Sequence, residues 1–206
     1  MNKILVVYAT NSGTTTEVAK AVMEEIQKSG SQVDILPIAE VRDLESYTAV
    51  VLGAPMIMGW HRRAMQFLRK NKAALAKMPR AVFITCMNLT RTGETSLDGV
   101  PVYLNDQLAK APQTPGRLNF KENYAQVTKC LRPVLKAAAH VKPVSAAFFG
   151  GQLDIYRLKW FLALFVMLVI QAGPGEHRNW EAIRAWAADL PDLLTRPAGQ
   201  AAPVVE

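Results

Sequence analysis

The sequence predicts an α/β fold built on a doubly wound parallel sheet, and three observations lead there. Apolar runs of strand length recur at Ile4 to Ala9, Val33 to Ile38, Ala49 to Ala54, Ala81 to Met87 and Val144 to Phe149. All but the second are continuous rather than alternating, which demands cover on both faces. Segments with helical periodicity lie between them, and this alternation makes a parallel sheet with helices on each side. Ligands in such sheets bind beyond the carboxyl ends of the strands, so the loops after Ala9, Gly53, Met87 and Phe149 are expected to meet.

The chain has 206 residues, 50% hydrophobic and 20% charged, which is enough to bury one sizeable core and suits a single domain over residues 1–195. Cys86 and Cys130 stand without CxxC spacing or a nearby histidine pair, so they signal neither a disulfide framework nor a zinc site, and a reduced, cytoplasmic setting is expected. Met1-Asn2-Lys3 leads straight into a strand and lacks the charged start, apolar middle and cleavage site of a secretory signal. The net charge of +7 favours anionic partners. Nucleic acid is not expected among them, because no binding motif or interleaved aromatic platform accompanies the basic residues.

Taken in order, the first strand is β-branched and ends at Ala9. Thr14-x-x-Glu17 then reads as a capping box opening a helix with Val18, Val22 and Ile26 on its apolar stripe, closed by Ser29-Gly30. A second helix is expected from about Arg62 to Ala76, with Ala64, Phe67, Leu68 and Leu75 inward and Arg63, Arg69, Lys70 and Lys72 outside. Residues 88–122 are polar and turn-rich, with Gly93, Gly99, Pro101 and "APQTPG" at 111–116. They are too long for an ordinary connection and read as an insertion after the fourth strand, beside the site. The helix that follows, roughly Asn123 to His140, contains Pro133 and should kink or restart there. A Gly-Pro-Gly break precedes a last helix with Trp180, Ile183, Ala187 and Leu190 on one face, and the Pro/Ala-rich residues 196–206 are expected to form a disordered tail.

The loop after the first strand is Thr10-Asn11-Ser12-Gly13-Thr14-Thr15. A strand that stops where a helix starts leaves backbone N–H groups converging at the positive end of the helix dipole, which attracts phosphate. The loop has neither the lysine of GxxxxGK[ST] nor the three glycines of GxGxxG. Its hydroxyls, together with a glycine that permits a strained backbone, suit a terminal monophosphate ester bound without a cation. Capping alone would account for Thr14, but not for Thr10, Ser12 and Thr15 together.

T-N-S-G-T-T in this position resembles the phosphate loop of flavodoxins, T-x-[ST]-G-x-T, whose ligand is FMN. The resemblance implies a flavodoxin-like sheet of five parallel strands in the order 2-1-3-4-5 with an insertion after strand 4. It also implies noncovalent FMN, its phosphate held by Thr10, Asn11, Ser12, Gly13, Thr14 and Thr15. In the loop "GAPMIMGWH" at 53–61, Ala54, Pro55, Met56, Gly59 and Trp60 would flank the flavin, with Trp60 stacking on the ring; a tryptophan packed on a neighbouring loop would look the same in sequence. Met87, Asn88 and Leu89 would lie along the other edge, and Gly150, Gly151 and Gln152 would complete the site. Flavodoxins usually place an aromatic in the loop after strand 4, and this chain has none there before Tyr103.

A narrower resemblance covers nearly the whole chain. "FFGGQLDIYRLKWFLALFVMLVI" followed by "GPGEHRNWEAIRAWA" is similar to the C-terminal half of menaquinone-dependent protoporphyrinogen oxidases and their flavodoxin-domain relatives. This implies an FMN-dependent oxidoreductase acting on a porphyrinogen and a quinone; the alternative is a flavodoxin-type electron carrier between redox protein partners. Trp160 to Ile170 is apolar without interruption but too short for a span, which needs about 20 residues. It predicts burial, a homodimer contact, or peripheral membrane contact through 157–171 on the inner face of the membrane. Asp154 reads as the cap of this helix, with a catalytic base as the alternative. His61 is either a donor to a flavin carbonyl or substrate carboxylate, or a solvated helix start. His140 and His177 have no evident partner in sequence, and Cys86 reads as a small buried apolar residue. Arg62, Arg63, Arg69, Lys70 and Lys72 form a cluster that would pair with substrate carboxylates or stand as a solvated basic face.

Overall fold

The structure, a computed structural model, describes residues 3–57, 59–138, 142–153 and 175–195. The expected apolar helix at 157–171, Asp154, His140 and the tail at 196–206 lie outside the described residues. The first half of the chain runs β1 (Lys3–Tyr8), α1 (Thr14–Gln27), β2 (Gln32–Pro37), β3 (Ala49–Pro55), α2 (Arg62–Lys70), α3 (Lys72–Leu75) and β4 (Arg80–Cys86). The second half runs β5 (Leu89–Thr90), β6 (Ser96–Leu97), β7 (Val100–Leu104), β8 (Ala109–Lys110), α4 (Phe120–Tyr124), α5 (Val127–Ala138), β9 (Ser145–Gly150), β10 (Gln152–Leu153), β11 (Gly175–Glu176) and α6 (Trp180–Leu194).

The central sheet has the order β2-β1-β3-β4-β9-β7-β6. Its first five strands, all parallel, follow the predicted 2-1-3-4-5 with β9 in fifth place. The sheet then continues beyond what the sequence predicts. β7 adds a further parallel strand with Val102 opposite Ala146, and β6 folds back antiparallel on it. The segment read as turn-rich thus contributes to the sheet edge. Pro101 is tolerated there because the β9 ladder engages only Val102 to Leu104.

Strand pleating sorts the side chains into two cores. Leu5 and Val7 join Ala64, Phe67 and Leu68 of α2, Leu75 of α3, and Leu131 and Val134 of α5. Ile4 and Val6 join Val18, Val22 and Ile26 of α1, and Ile183, Trp186 and Leu190 of α6. The expected inward residues of both early helices are therefore buried as read, but two helices end differently. The span 62–76 is broken at Asn71, whose Nδ2 donates to the Phe67 carbonyl at 3.0 Å, a local bond that competes with helix continuation. α5 runs through Pro133 without restarting, because that position is exposed and water can serve the carbonyl the ring leaves without a partner. Arg80 is almost fully buried, and its Nη1 donates to the Leu75 carbonyl at 2.7 Å, fastening the end of α3 to β4. Burial lowers its pKa to about 10, so it remains charged at neutral pH.

The second core closes on an aromatic cluster. Phe149 meets Trp186 edge-on at 5.5 Å, Phe83 meets Trp186 at 6.2 Å, and the Trp186 indole N–H donates to Ser145 Oγ at 2.9 Å. Such ring pairs contribute about 0.5–1.5 kcal/mol each beyond area burial. Phe83 gains this place by lying across Gly53 of β3: a Cβ there would stand 1.8 Å from its Cζ. Gly53→Ala is expected to cost about 1–3 kcal/mol through overpacking, read as a lower urea midpoint. In a Phe83→Leu background the same substitution should cost measurably less; an equal cost in both backgrounds would remove the steric explanation.

Candidate functional site

At the end of β1 the Ala9 N–H bonds the Gly53 carbonyl at 2.9 Å, and the chain then turns into the hydroxyl-rich loop. Gly13 adopts φ 94°, a left-handed backbone that favours glycine, and its N–H donates to Thr10 Oγ1 at 2.9 Å. The expected capping box does not form. Gly13 is the N-cap, no side-chain hydrogen bond caps the helix, and Thr14 is already helical. Its hydroxyl instead lies 3.3 Å from Ser12 Oγ and donates to the Gln152 carbonyl at 3.1 Å. Thr15 turns inward, 3.1 Å from Thr85 Oγ1 in a buried hydroxyl pair. A 14-residue helix thus begins without a side-chain cap, at the point where its dipole and first N–H groups favour an anion.

Glu17, in that first turn, would oppose an anion, and it is held by Arg178. Arg178 is almost completely covered, also pairs with Glu176, donates to Gln152 Oε1 at 3.2 Å, and lies 4.5 Å from the Trp180 ring centroid. The bond to Glu176 and that to Glu17 hold the guanidinium above its ordinary range, and the same pairing holds the Glu176 carboxyl below its own. One arginine thereby offsets the Glu17 carboxylate in the first turn of α1 and ties it to the β10–β11 ribbon. The segment after β11 crosses the end of β9 so closely that a Cβ on Gly150 would stand 1.8 Å from the His177 carbonyl oxygen.

The loops expected to meet do so. Thr10, Asn11, Ser12, Thr14 and Thr15 line an open cleft of about 410 Å³. Facing them are Pro55, Met56 and Ile57 from the end of β3, Thr85, Cys86 and Met87 from the end of β4, and Gly151 and Gln152. Among the described residues no acidic side chain lines it. Several predicted residues stand elsewhere. Trp60 is 7% exposed, inside the first core, with its indole N–H on the Ala54 carbonyl at 3.1 Å, so it supports the loop from behind and does not line the cleft. Ala54 is fully buried in the same core. Leu89 is buried in β5, opposite Ala109. Gly59 is exposed at φ 100°, where it turns the chain so that Met56 bridges Trp60. Gly150 is packed under His177.

A second cavity, of about 430 Å³, shares Met56, Cys86 and Met87 with the first. Asn88, Lys121, Tyr124, Ala125 and Cys130 complete it. The sequence reading singles out neither Lys121 nor Tyr124. A signal exists in Asn119-x-x-Glu122, a true capping box in which Asn119 Oδ1 accepts from the Glu122 N–H at 2.9 Å and the Glu122 carboxylate accepts from the Asn119 N–H at 2.8 Å. It starts α4, and α4 brings an aromatic and an ammonium to the end of β4, where the loop itself has no aromatic. Burial raises the Cys86 thiol far above its ordinary range and pushes Cys130 up to about 11, so both stay protonated apolar walls. His61 is the N-cap of α2: its Nδ1 accepts from the Arg63 N–H at 3.2 Å, and burial, then Arg63, lowers its pKa.

Compared with known proteins, residues 5–179 match the family model described as a flavodoxin domain. Protoporphyrinogen IX dehydrogenase [quinone] of Escherichia coli (strain K12) is 22% identical over 208 aligned residues, covering 95% of this chain and 98% of that protein. Among solved structures, a flavodoxin from the domain Archaea is 21% identical with a TM-score of 0.39, covering 41% of this chain and 63% of that one, under two thirds of its length. A cysteine-to-alanine mutant of the flavodoxin from Pseudomonas aeruginosa is 14% identical with a TM-score of 0.48, covering 94% of this chain and 99% of that one. Among the described residues no helix is long and apolar enough to cross a membrane. With the family match spanning most of its length, this chain belongs to the flavodoxin domain family.

Proposed function

We propose that the chain binds FMN noncovalently in the cleft and acts as an oxidoreductase resembling the quinone-dependent protoporphyrinogen dehydrogenases. The observation that carries this reading is the convergence of the hydroxyl loop and the uncapped start of α1 with the ends of β3, β4 and β9. Bound there, FMN supplies reversible one- and two-electron redox chemistry. Every other task falls to the protein. The hydroxyls of Thr10, Ser12 and Thr14 and the N–H groups of the first turn hold the phosphate, with charge-assisted bonds worth about 1.5–3 kcal/mol each. Thr15 supports the cradle through Thr85. Met56 and Met87 border both cavities and offer the ring soft apolar cover. Arg178 keeps Glu17 from repelling the phosphate.

The adjoining cavity receives the molecule that exchanges electrons with the flavin. Methionine, alanine and protonated cysteine walls suit an apolar ring, and Lys121 suits a carboxylate or carbonyl oxygen at its edge. Tyr124, in the same lining, would cover one side of that ring.

Ser12→Asp places a carboxylate beside the phosphate, and at about 4 Å in partly exposed surroundings like charges repel by roughly 4 kcal/mol. FMN affinity, read by quenching of its fluorescence, should fall about a hundredfold or more, while Ser12→Ala loses far less; equal affinity for Ser12→Asp would remove the phosphate from this loop. In an anaerobic mixture of FMN-loaded protein, protoporphyrinogen and a quinone, porphyrin fluorescence should rise above the uncatalysed rate. A yellow protein that produces none is an electron carrier. Lys121→Met should raise KM about tenfold, a loss of roughly 1.4 kcal/mol, and leave kcat and the flavin spectrum near their original values. An unchanged KM would take the substrate out of this cavity.

A further inference from the structure

Among the described residues the helical cations gather on one side of the sheet. Between Glu45 and Glu94 the chain has no Asp or Glu. α2 and α3 carry Arg62, Arg63, Arg69, Lys70 and Lys72, all exposed. α5, which packs beside α2 on the same core, adds exposed Lys129, Arg132 and Lys136 and again no carboxylate. Among the described residues none of these groups takes part in an ion pair, and Lys129 donates to the neutral Asn123 amide oxygen at 2.6 Å. The opposite layer has the reverse sign. α1 sets Glu17, Glu24 and Glu25 against Lys20, and α6 sets Glu181, Asp189 and Asp192 against Arg184. The sheet separates a cationic layer from an anionic one.

We propose that the α2–α3–α5 face is a docking surface for a bilayer containing anionic phospholipids. Its shape favours a membrane over an acidic redox protein. A protein that exchanged electrons with the cleft would be met by cations crowded at the helix starts, such as Arg62, Arg63 and Lys129. Here the cations continue to Arg69, Lys70, Lys72 and Lys136 at the far ends of the helices, over the full length of about 18 Å that α5 provides. Cations spread over a helical layer match a plane of headgroups, which attracts each of them within a Debye length. Among the described residues the one large apolar side chain exposed is Phe120, at 74%, on α4, which precedes α5 in the chain. No aromatic is exposed on α2, α3 or α5 on which unpaired bases could stack, and this sets the face apart from a single-stranded nucleic-acid groove. Docking by this face requires neither the cofactor nor the reaction.

The test is co-sedimentation of the full-length protein with vesicles of phosphatidylcholine mixed with phosphatidylglycerol, and with vesicles of phosphatidylcholine alone. Binding should be confined to the anionic vesicles and should be lost as salt rises, since the Debye length falls from about 30 Å at 0.01 M to about 3 Å at 1 M. Arg69→Glu with Lys72→Glu should lower partitioning about tenfold or more. Lys20→Glu with Arg184→Glu changes the net charge equally on the other face and should leave it near the original. Both variants should keep the parent's circular dichroism and FMN affinity. Equal losses in the two variants would reduce the effect to net charge and overturn the proposal. So would salt-insensitive binding to both vesicle types, or no binding at low salt; the last would leave the face to an acidic protein.

Discussion

Burial of both faces of one parallel sheet is the constraint on which the rest of the structure depends. Each strand of β1, β3, β4 and β9 must be apolar at consecutive positions, and each crossover must return over a face, carrying a helix that covers it. All carboxyl ends then fall on one edge, and the loops leaving them cannot avoid one another. The cleft is a consequence of that topology before it is a consequence of any residue in it. The close approach of Phe83 to Gly53 shows how tightly the constraint binds. The aromatic cluster that seals α6 to the sheet exists because one strand gives up a side chain to make room for it.

The electrostatics of the cleft follow from what the topology leaves unsatisfied. α1 begins at a glycine with no side-chain cap, its one first-turn carboxylate is taken by Arg178, and the surrounding hydroxyls can donate without adding charge. An anion there is met by dipoles, not by a lysine. In the proposed FMN site, neutral donors would hold a phosphate without a lysine beside the ring. Arg178 is also the joint between the two halves of the rim: it bonds Glu17 at the start of α1, Gln152 after β9 and Glu176 on β11, so the far C-terminal segment helps to shape a loop near the N-terminus.

Much of the fold is legible in sequence, and the losses have physical causes. The apolar runs, four continuous and one partly alternating, locate five strands to within a residue or so, because their length of six or seven residues and the turn and helix signals between them suit a covered strand. The hydroxyl loop is legible because Thr10, Ser12 and Thr15 exceed what a cap requires. β7 is not, because Pro101 and the flanking glycines are turn residues, and only pairing with β9 makes Val102 to Leu104 a strand. The place of Trp60 is hidden because a tryptophan in a loop reads as an exposed surface, whereas here the indole N–H finds the Ala54 carbonyl and the ring fills the first core. Thr14 satisfies the capping-box pattern, but a left-handed Gly13 takes the N-cap position instead, and pattern alone cannot see a backbone angle. Tyr124 and Lys121 reach the second cavity through tertiary packing of α4, far along the chain from the strand end where a local pattern would look for them.

The insertion therefore changes what the cleft can do. In a minimal five-strand unit the loop after β4 would be the last wall before solvent, and a ring held there would present an edge outward to a protein partner. In this chain α4 closes that side, and its cavity shares Met56, Cys86 and Met87 with the cleft, so the two spaces touch along a soft, uncharged wall. The Cys86 thiol on it is held protonated by burial, so the wall contributes no charge that would vary near neutral pH. A partner seated in the second cavity would lie against a ring in the first across Met56, Cys86 and Met87. A second ring held in this way suits electron exchange with a small molecule better than with a docked protein. The same α4–α5 segment that lines the second cavity also supplies part of the cationic face, so the element that would admit a partner and the element that would rest on a charged surface are continuous in the chain.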